Sequence, residues 1–299
     1  SNNWAIVGAA MANRRRGTHI ITSSVEHAAV IRPMMYLEEQ GFQVTYLPVD
    51  RQGHISQEDL KAALNEETIL VSIMYVNNEM GAVEPIEQIG SIIKDYNREI
   101  LFHVDAIQAY GKFRICPKRL GIDLLSVSGH KLHGPKGVGF LYVREKTKLH
   151  PLILGGGQQK GMRSGTDNVP GIAGLGVAAK EAYTCFEEKI AHIYRLKKHM
   201  IDGLRQLPDV QINSEEGEKS APQIVSASFR GVRSEVLLHA LEDRGIYVSS
   251  GSACSSNKKL PVSTVLKEIH LEQELLETTL RFSFCELTTV EELDYALEV

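Results

Sequence analysis

The sequence predicts an α/β protein, with a large domain built on a mostly parallel sheet at residues 1–185 and a smaller α+β domain at residues 186–299. Two observations support the first part. Short apolar runs alternate with amphipathic helical stretches, as in strand–helix–strand units. Several runs are apolar at nearly every position, as in parallel strands buried on both faces. Later elements lack this spacing, which indicates a second domain.

The elements of the large domain follow in a regular order along the chain. Gly41 ends the first helix, because glycine readily adopts the left-handed conformation found after helices. Ser56 begins the second helix as an N-cap. Strands are predicted at 18–22, 42–49, 68–75, 99–104, 123–128 and 137–143, and helices at 28–40, 56–64 and 86–97.

The second domain is predicted from a different pattern. Residues 169–199 have a long helical periodicity that fits one connecting helix or two shorter ones. Strands are then expected at 209–212, 223–229 and 278–284, and helices at 234–244 and 289–297.

Composition narrows the function classes. The 299 residues carry 33 basic and 37 acidic side chains, a net charge of −4, and 43% of them are hydrophobic. This is typical of a globular protein and does not favour nucleic-acid binding. No apolar run is long enough for a membrane helix. The four cysteines form no C-x-x-C pair, so no metal site is predicted, and most are expected to be reduced, buried thiols of a cytoplasmic protein.

Polar residues at strand ends are the first candidates for a site, because open α/β sheets bind ligands beyond the carboxyl ends of their strands. Asn77, Asp105 and the run from Ser128 to Lys131 each follow a predicted strand. An Asp and a Lys placed in this way fit a structural ion pair. They also fit pyridoxal phosphate, whose aldehyde needs a lysine amine and whose ring nitrogen needs a carboxylate.

The run Ser128-Gly-His-Lys-Leu-His-Gly-Pro-Lys-Gly resembles the lysine motif of fold-type I pyridoxal-phosphate enzymes of the class-V aminotransferase group. More narrowly, it is similar to that of the cysteine desulfurases. The resemblance covers nearly the whole chain. Further matching stretches occur in the family's order at 24–27, 75–81, 103–108, 161–166, 249–254 and 280–284.

The resemblance implies a role for each residue around the cofactor ring. Lys131 matches the Schiff-base lysine, whose freed amine moves the α-proton. Asp105 matches the partner of the ring nitrogen, and Gln108 the residue that binds the phenolic oxygen. His27 matches the imidazole that stacks on the ring and handles protons.

The resemblance also implies how the cofactor phosphate is held. Ser128 and His130 match phosphate donors. Thr166 matches a hydroxyl that reaches the cofactor of the other subunit, which implies a homodimer. Thr166 also fits an N-cap of the helix that begins near Val169. Only Ser1-Asn2-Asn3 matches the family's phosphate loop, so weak cofactor binding is expected for the chain as it stands.

The resemblance places the residues for substrate binding and sulfur transfer mainly in the second domain. Arg281 matches the clamp on the α-carboxylate of L-cysteine, assisted by Asn77; a structural salt bridge is the alternative for Arg281. Cys254 lies in a small, polar stretch typical of a loop and matches the thiol that takes up sulfur as a persulfide. A scaffold protein for iron–sulfur clusters or a tRNA-thiolation enzyme would then accept the sulfur.

Two other functions stay open on the sequence. One is a non-catalytic remnant that serves as a binding module, and the other is a class-V aminotransferase or lyase acting on another amino acid. Cys116, Cys185 and Cys285 are interpreted as structural, although Cys285 stands where the family often has glycine, close to Arg281 in sequence.

Overall fold

The larger of two sheets is built from the first half of the chain. The structure is a computed structural model and describes residues 1–250 and 263–299. The strands run in the order β2-β1-β3-β4-β5-β6, and all neighbours are parallel except β6, which is antiparallel to β5. They are β1 (His19–Ser23), β2 (Gln43–Leu47), β3 (Thr68–Met74), β4 (Leu101–Asp105), β5 (Leu124–Ser128) and β6 (Gly139–Val143).

Five helices accompany this sheet, and two predicted helix boundaries are confirmed. Gly41 takes a positive φ of 84° after the second helix, and the Ser56 hydroxyl accepts the Asp59 N–H at the start of the third. The first helix was not predicted, although its apolar residues join the core of the sheet. The helices are α1 (Asn2–Asn13), α2 (Ala28–Glu39), α3 (Gln57–Ala63), α4 (Ile86–Tyr96) and α5 (Val169–Tyr183).

The described residues divide into two compact units. The first unit contains Ser1–Pro48, Ile55–Val76 and Glu84–Thr184. The second contains Cys185–Val299 together with two short segments from earlier in the chain, Val49–His54 and Asn77–Val83. Asn77 and the residues after it therefore belong structurally with the C-terminal part of the chain.

The second unit is built around an antiparallel sheet with its own apolar core. Its strands are β7 (Val210–Ile212), β8 (Ile224–Phe229), β9 (Ser249–Ser250) and β10 (Thr279–Ser283), in the order β7-β8-β10-β9. Its helices are α6 (Phe186–Leu204), α7 (Ser234–Glu242), α8 (Thr264–Glu268), α9 (Gln273–Leu276) and α10 (Val290–Glu298).

The long helical stretch after residue 168 is two helices. Cys185 separates α5 from α6 in a left-handed conformation with φ of 51°, which no helix can continue through. The expectation that most of the thiols are buried is wrong for Cys185 and Cys116, which are exposed, while Cys285 is half-buried. Cys185 is exposed at the helix break, and Cys116 lies in an irregular segment just before Pro117.

Strand direction decides where the polar residues of the first unit lie. Because β1, β3, β4 and β5 are adjacent and parallel, the residues that follow them lie along one edge of the sheet.

No helix in the described part of the chain is both long enough and apolar enough to cross a membrane.

A pair of glycine substitutions tests the packing of the first unit. A Cβ on Gly90 of α4 would overlap the carbonyl oxygen of Leu120, whereas a Cβ on Gly176 of α5 would meet nothing within 4 Å. We expect Gly90→Ala to lower the free energy of unfolding by about 1–3 kcal/mol despite the helix preference of alanine. Gly176→Ala should raise it by up to about 1 kcal/mol.

Urea unfolding of both variants and the wild type measures this contrast. Equal stability of the two variants would contradict the close approach of α4 to the segment at Leu120.

Candidate active site

Asp105 is a buried carboxylate at the carboxyl end of β4. Its side chain is 4% exposed. Oδ1 accepts the Ile107 N–H at 3.0 Å, and Oδ2 accepts a side-chain N–H of Asn2 at 2.6 Å. Burial raises the pKa of Asp105, while these two hydrogen bonds and the nearby His27 lower it. A cation beside this carboxylate would favour its charged form further.

His27 follows β1 and is fixed by the start of α2. Its Nδ1 accepts the backbone N–H of Ala29 at 3.0 Å, so the ring is the N-cap of that helix. An acceptor nitrogen carries no proton, and the neutral ring therefore carries its proton on Nε2. The half-buried ring also interacts electrostatically with Asp105, so these two predicted site residues lie together.

The predicted lysine motif forms a short turn directly after β5. Ser128 Oγ lies 2.8 Å from His130 Nδ1. Lys131 is exposed in a short 3₁₀ helix, Gly129–Leu132. Partial burial, and then the cations Lys131 and Lys136, hold the pKa of His130 below its usual value. Half-buried Gln108 lies in the turn after β4.

These residues fit the chemistry that pyridoxal phosphate requires. A buried carboxylate can partner the ring nitrogen, an exposed lysine amine can reach the aldehyde, and a hydroxyl and an imidazole can donate to the phosphate. Ser24 Oγ, in the same β1–α2 connection as His27, is buried without a hydrogen-bond partner in the described part of the chain. A ligand with acceptor oxygens would satisfy such a donor.

Thr166 is exposed in the loop that precedes α5. The alternative interpretation of Thr166 as a helix N-cap is wrong, because the Asn168 side chain accepts the Gly171 N–H at 3.1 Å and caps the helix instead. The Thr166 hydroxyl is therefore not used by its own helix.

The second unit holds a turn that begins at Asn77. The Asn77 side chain is 2% exposed, and its Oδ1 accepts the backbone N–H groups of Glu79 and Met80, each at 2.9 Å. Asn77 thus builds the turn. The next residue, Asn78, has a buried Oδ1 with no hydrogen-bond partner among the described residues.

Arg281 of β10 is tied to the same turn. Its Nη1 donates to the carbonyl oxygen of Asn78 at 2.7 Å, and its Nη2 donates to Ser249 Oγ at 3.2 Å. A guanidinium has five N–H donors in a planar fork, and such a fork can pair with a carboxylate through two of them.

Both flanks of the cysteine segment are held by neighbouring groups. Cys254 lies outside the described residues, in the stretch 251–262. On one side, Ser249 accepts from Arg281. On the other side, the Ser263 hydroxyl donates to the buried carboxylate of Glu79, whose pKa burial raises. Arg281 and the turn at 77–81 therefore anchor the chain on either side of Cys254.

A buried lysine is linked to this turn through hydrogen bonds of the segment at Ser220 and Ala221. Lys197 of α6 donates to Ser220 Oγ and, at 2.9 Å, to the carbonyl oxygen of Ala221. Ala221 N–H in turn donates to the carbonyl oxygen of Gly81 at 2.7 Å. Burial lowers the pKa of Lys197 to about 8, although Glu216 and Glu215 act in the opposite direction.

Comparisons of the sequence with known proteins identify the family of this chain. A model of the class-V aminotransferase family matches residues 1–296. The cysteine desulfurase IscS of Methanosarcina thermophila is 46% identical over 299 residues, which cover 100% of this chain and 73% of the relative.

Solved structures give the same answer. A NifS-like protein matches with a TM-score of 0.93 and 39% identity, over 100% of this chain and 78% of its own. A structure of SspA in complex with cysteine matches with a TM-score of 0.81 and 35% identity, over 97% of this chain and 80% of its own.

The chain therefore belongs to the class-V aminotransferase family, whose members use pyridoxal phosphate on a fold-type I scaffold. Within that family it groups with the cysteine desulfurases. The predicted fold class, cofactor and enzyme class are confirmed.

The pH dependence of stability tests the buried position of Lys197. Its pKa is about 8 in the folded chain against 10.5 as the ordinary value, so the unfolded chain binds more protons between these pH values. The free energy of unfolding should therefore rise with pH in this window, by on the order of 3 kcal/mol. Lys197→Met should lose this rise.

Urea unfolding at pH 7 to 10.5 compares the wild type with Lys197→Met. Lys267→Met, at an exposed position of the same unit, serves as the control and should keep the wild-type slope. Parallel curves for wild type and Lys197→Met would contradict the lowered pKa of Lys197 in the fold.

Proposed function

We propose that this chain, with bound pyridoxal phosphate, removes sulfur from L-cysteine and leaves L-alanine and a persulfide on Cys254. The observation that carries the proposal is the position of Asp105, His27 and Lys131, which lie at or just beyond the carboxyl ends of parallel strands of one sheet. Cys254 separates a desulfurase from other class-V enzymes, which need no thiol for their chemistry.

The groups of the first unit divide the work of binding and proton transfer. The cofactor supplies an aldehyde for amines and an electron-withdrawing ring. Asp105 holds a proton at the ring nitrogen, and Gln108 binds the phenolic oxygen. Lys131 would supply the amine for the aldehyde and later move the α-proton. His27, with its proton on Nε2, would lie against the ring and take part in proton transfer.

The phosphate would be held by donors on two chains. Ser128 and His130 offer a hydroxyl and a neutral imidazole beyond β5. The Thr166 hydroxyl, which α5 does not use, would reach the cofactor of a second copy, so the working form is a homodimer.

The second unit would bind the amino acid and take its sulfur. Arg281 pairs with the α-carboxylate, with an amide of the turn at 77–78 assisting. Asn77 is the amide that the resemblance places there, and it would act through its side-chain N–H donors, because a carboxylate accepts hydrogen bonds. The Cys254 thiolate then attacks the sulfur of the bound cysteine; an S–S bond forms and the C–S bond breaks.

The persulfide would pass to a sulfur-acceptor protein, either a cluster scaffold or a tRNA-thiolation enzyme. A thiolate nucleophile needs a reducing compartment, which favours the cytoplasm. No direct contact with nucleic acid or membrane is required by this chemistry.

Replacement of Cys254 tests the proposal. With pyridoxal phosphate and a thiol reductant, the wild type should release sulfide and L-alanine from L-cysteine, and Cys254 should gain one sulfur atom by mass spectrometry. Cys254→Ser should lower sulfide release at least about 100-fold, because its hydroxyl is a poor nucleophile towards sulfur. Cys116→Ser is the control and should keep full activity.

The other functions appear as distinct results of the same assay. Undiminished turnover in Cys254→Ser would support an aminotransferase or lyase. Cofactor uptake without any turnover in the wild type would support a binding module.

Arg281→Gln tests the carboxylate clamp. Loss of a charged, bidentate donor should raise KM for L-cysteine about 10- to 100-fold, corresponding to about 1.5–3 kcal/mol of binding. Ser249→Ala removes only the second partner of Arg281 and should change KM less than about threefold.

Steady-state kinetics with L-cysteine measure both variants. An unchanged KM in Arg281→Gln, with a folded protein by circular dichroism, would contradict this role of Arg281.

A further inference from the structure

Glu26 is a second buried carboxyl group in the first unit. It follows β1 directly before His27 and is 5% exposed. Its Oε1 accepts the Ser23 hydroxyl at 2.9 Å and the Met74 N–H at 2.7 Å. Its Oε2 is buried with no hydrogen-bond partner in the described part of the chain.

Strand register brings Glu26 next to Asp105. Met74, whose N–H binds Glu26, ends β3 and pairs with Asp105 at the end of β4. The two carboxyl groups repel each other electrostatically. They therefore share one buried environment at the edge of the sheet that carries the proposed cofactor site.

The charged and titratable groups around the pair come from several elements. His27 lies on the same connection as Glu26, and Asp105 attracts it. On β4, burial lowers the pKa of His103 to about 3, so this ring is neutral. From α1 comes the neutral Asn2 amide, which donates to Asp105. β1 and β3 supply only the neutral donors of Ser23 and Met74 to Glu26.

These surroundings treat the two acids differently. Both oxygens of Asp105 accept hydrogen bonds and His27 is near, which favours the anion. One oxygen of Glu26 has no hydrogen-bond partner among the described residues. Burial raises the pKa of Glu26 to about 8, and the charge of Asp105 contributes to this rise. Two neighbouring buried carboxylates cannot both ionise cheaply, so one proton resides on Glu26.

We propose that Glu26 is a positioning residue that acts through Asp105: it stays a neutral carboxylic acid, so that Asp105 carries the single negative charge opposite the ring nitrogen of the cofactor. The proposal rests on the function proposed above for Asp105. Glu26, directly before His27 in sequence, thereby has a role that does not involve binding substrate.

The pH dependence follows from the sign of the shift. Below about pH 8 Glu26 is neutral, and the proposal leaves the negative charge of the pair on Asp105. Above that pH Glu26 ionises, and a second negative charge stabilises protons on the bound cofactor. A neutral residue at position 26 removes this second charge, so the cofactor should lose its protons at lower pH.

The first experiment needs no cofactor and no activity. Infrared difference spectra of the cofactor-free chain compare wild type with Glu26→Gln, which keeps the size of the side chain. At pH 7 the wild type should have one more protonated-carboxyl C=O band than Glu26→Gln, and this band should vanish with a midpoint near pH 8. Glu39→Gln, an exposed acid at the end of α2, should retain the band. Absence of the extra band at pH 7 would overturn the proposal.

Asp105→Asn provides a second variant that does not alter Glu26. Removal of the neighbouring charge should move the midpoint of the Glu26 band to lower pH. An unchanged midpoint would mean that Glu26 does not act through Asp105.

The third measurement concerns the loaded protein. The visible absorbance of the bound cofactor is followed against pH in wild type and Glu26→Gln, and its midpoint should lie at lower pH in the variant. Identical titration curves above pH 8, where wild-type Glu26 is ionised, would overturn the link to the cofactor even if Glu26 is protonated at pH 7. Failure of the desulfurase assay alone would leave all three results intact, so the two proposals can be told apart.

Discussion

A negative charge buried at the end of β4 is the constraint around which the site of the first unit is organised. Asp105 accepts hydrogen bonds from two neutral donors, the Ile107 N–H and the Asn2 amide. Burial nevertheless raises the pKa of Asp105. An ionised carboxylate in such a position is unfavourable unless a cation stands opposite. The fold therefore maintains a buried carboxylate that a cationic group would stabilise, and the other candidate residues of this unit lie along the same sheet edge.

The turn at 77–81 has the comparable role in the second unit, because its three consecutive polar residues do different things. Asn77 closes the turn, Asn78 binds Arg281 through its carbonyl group, and Glu79 binds Ser263. Gly81 ends the turn at φ of 80°, where a Cβ would crowd Ile224 at 3.2 Å. A change in the contacts of Arg281 thus bears on both the turn and Ser249, at one flank of the cysteine segment.

Local pattern was enough to predict most of the helices and strands. Apolar runs, Ser56 and Gly41 are signals within a few residues, and the structure confirms them. Long-range choices were not accessible in this way. Asn168 rather than Thr166 caps α5, and the exposure of Cys185 depends on a helix break. The grouping of 49–54 and 77–83 with the C-terminal unit depends on contacts far apart in sequence.

Proton positions near Asp105 are set by hydrogen-bond partners and not by residue type. His103 has both ring nitrogens within 3.0 Å of hydroxyl groups, from Ser72 and Ser126, and is held neutral inside the sheet. His27 uses Nδ1 for the helix and keeps Nε2 for other chemistry. Two acids differ in the same way: Asp105 has both oxygens satisfied, whereas Glu26 has one. The backbone that fixes α2 and the strand ends thereby sets the hydrogen-bond partners on which these proton positions depend.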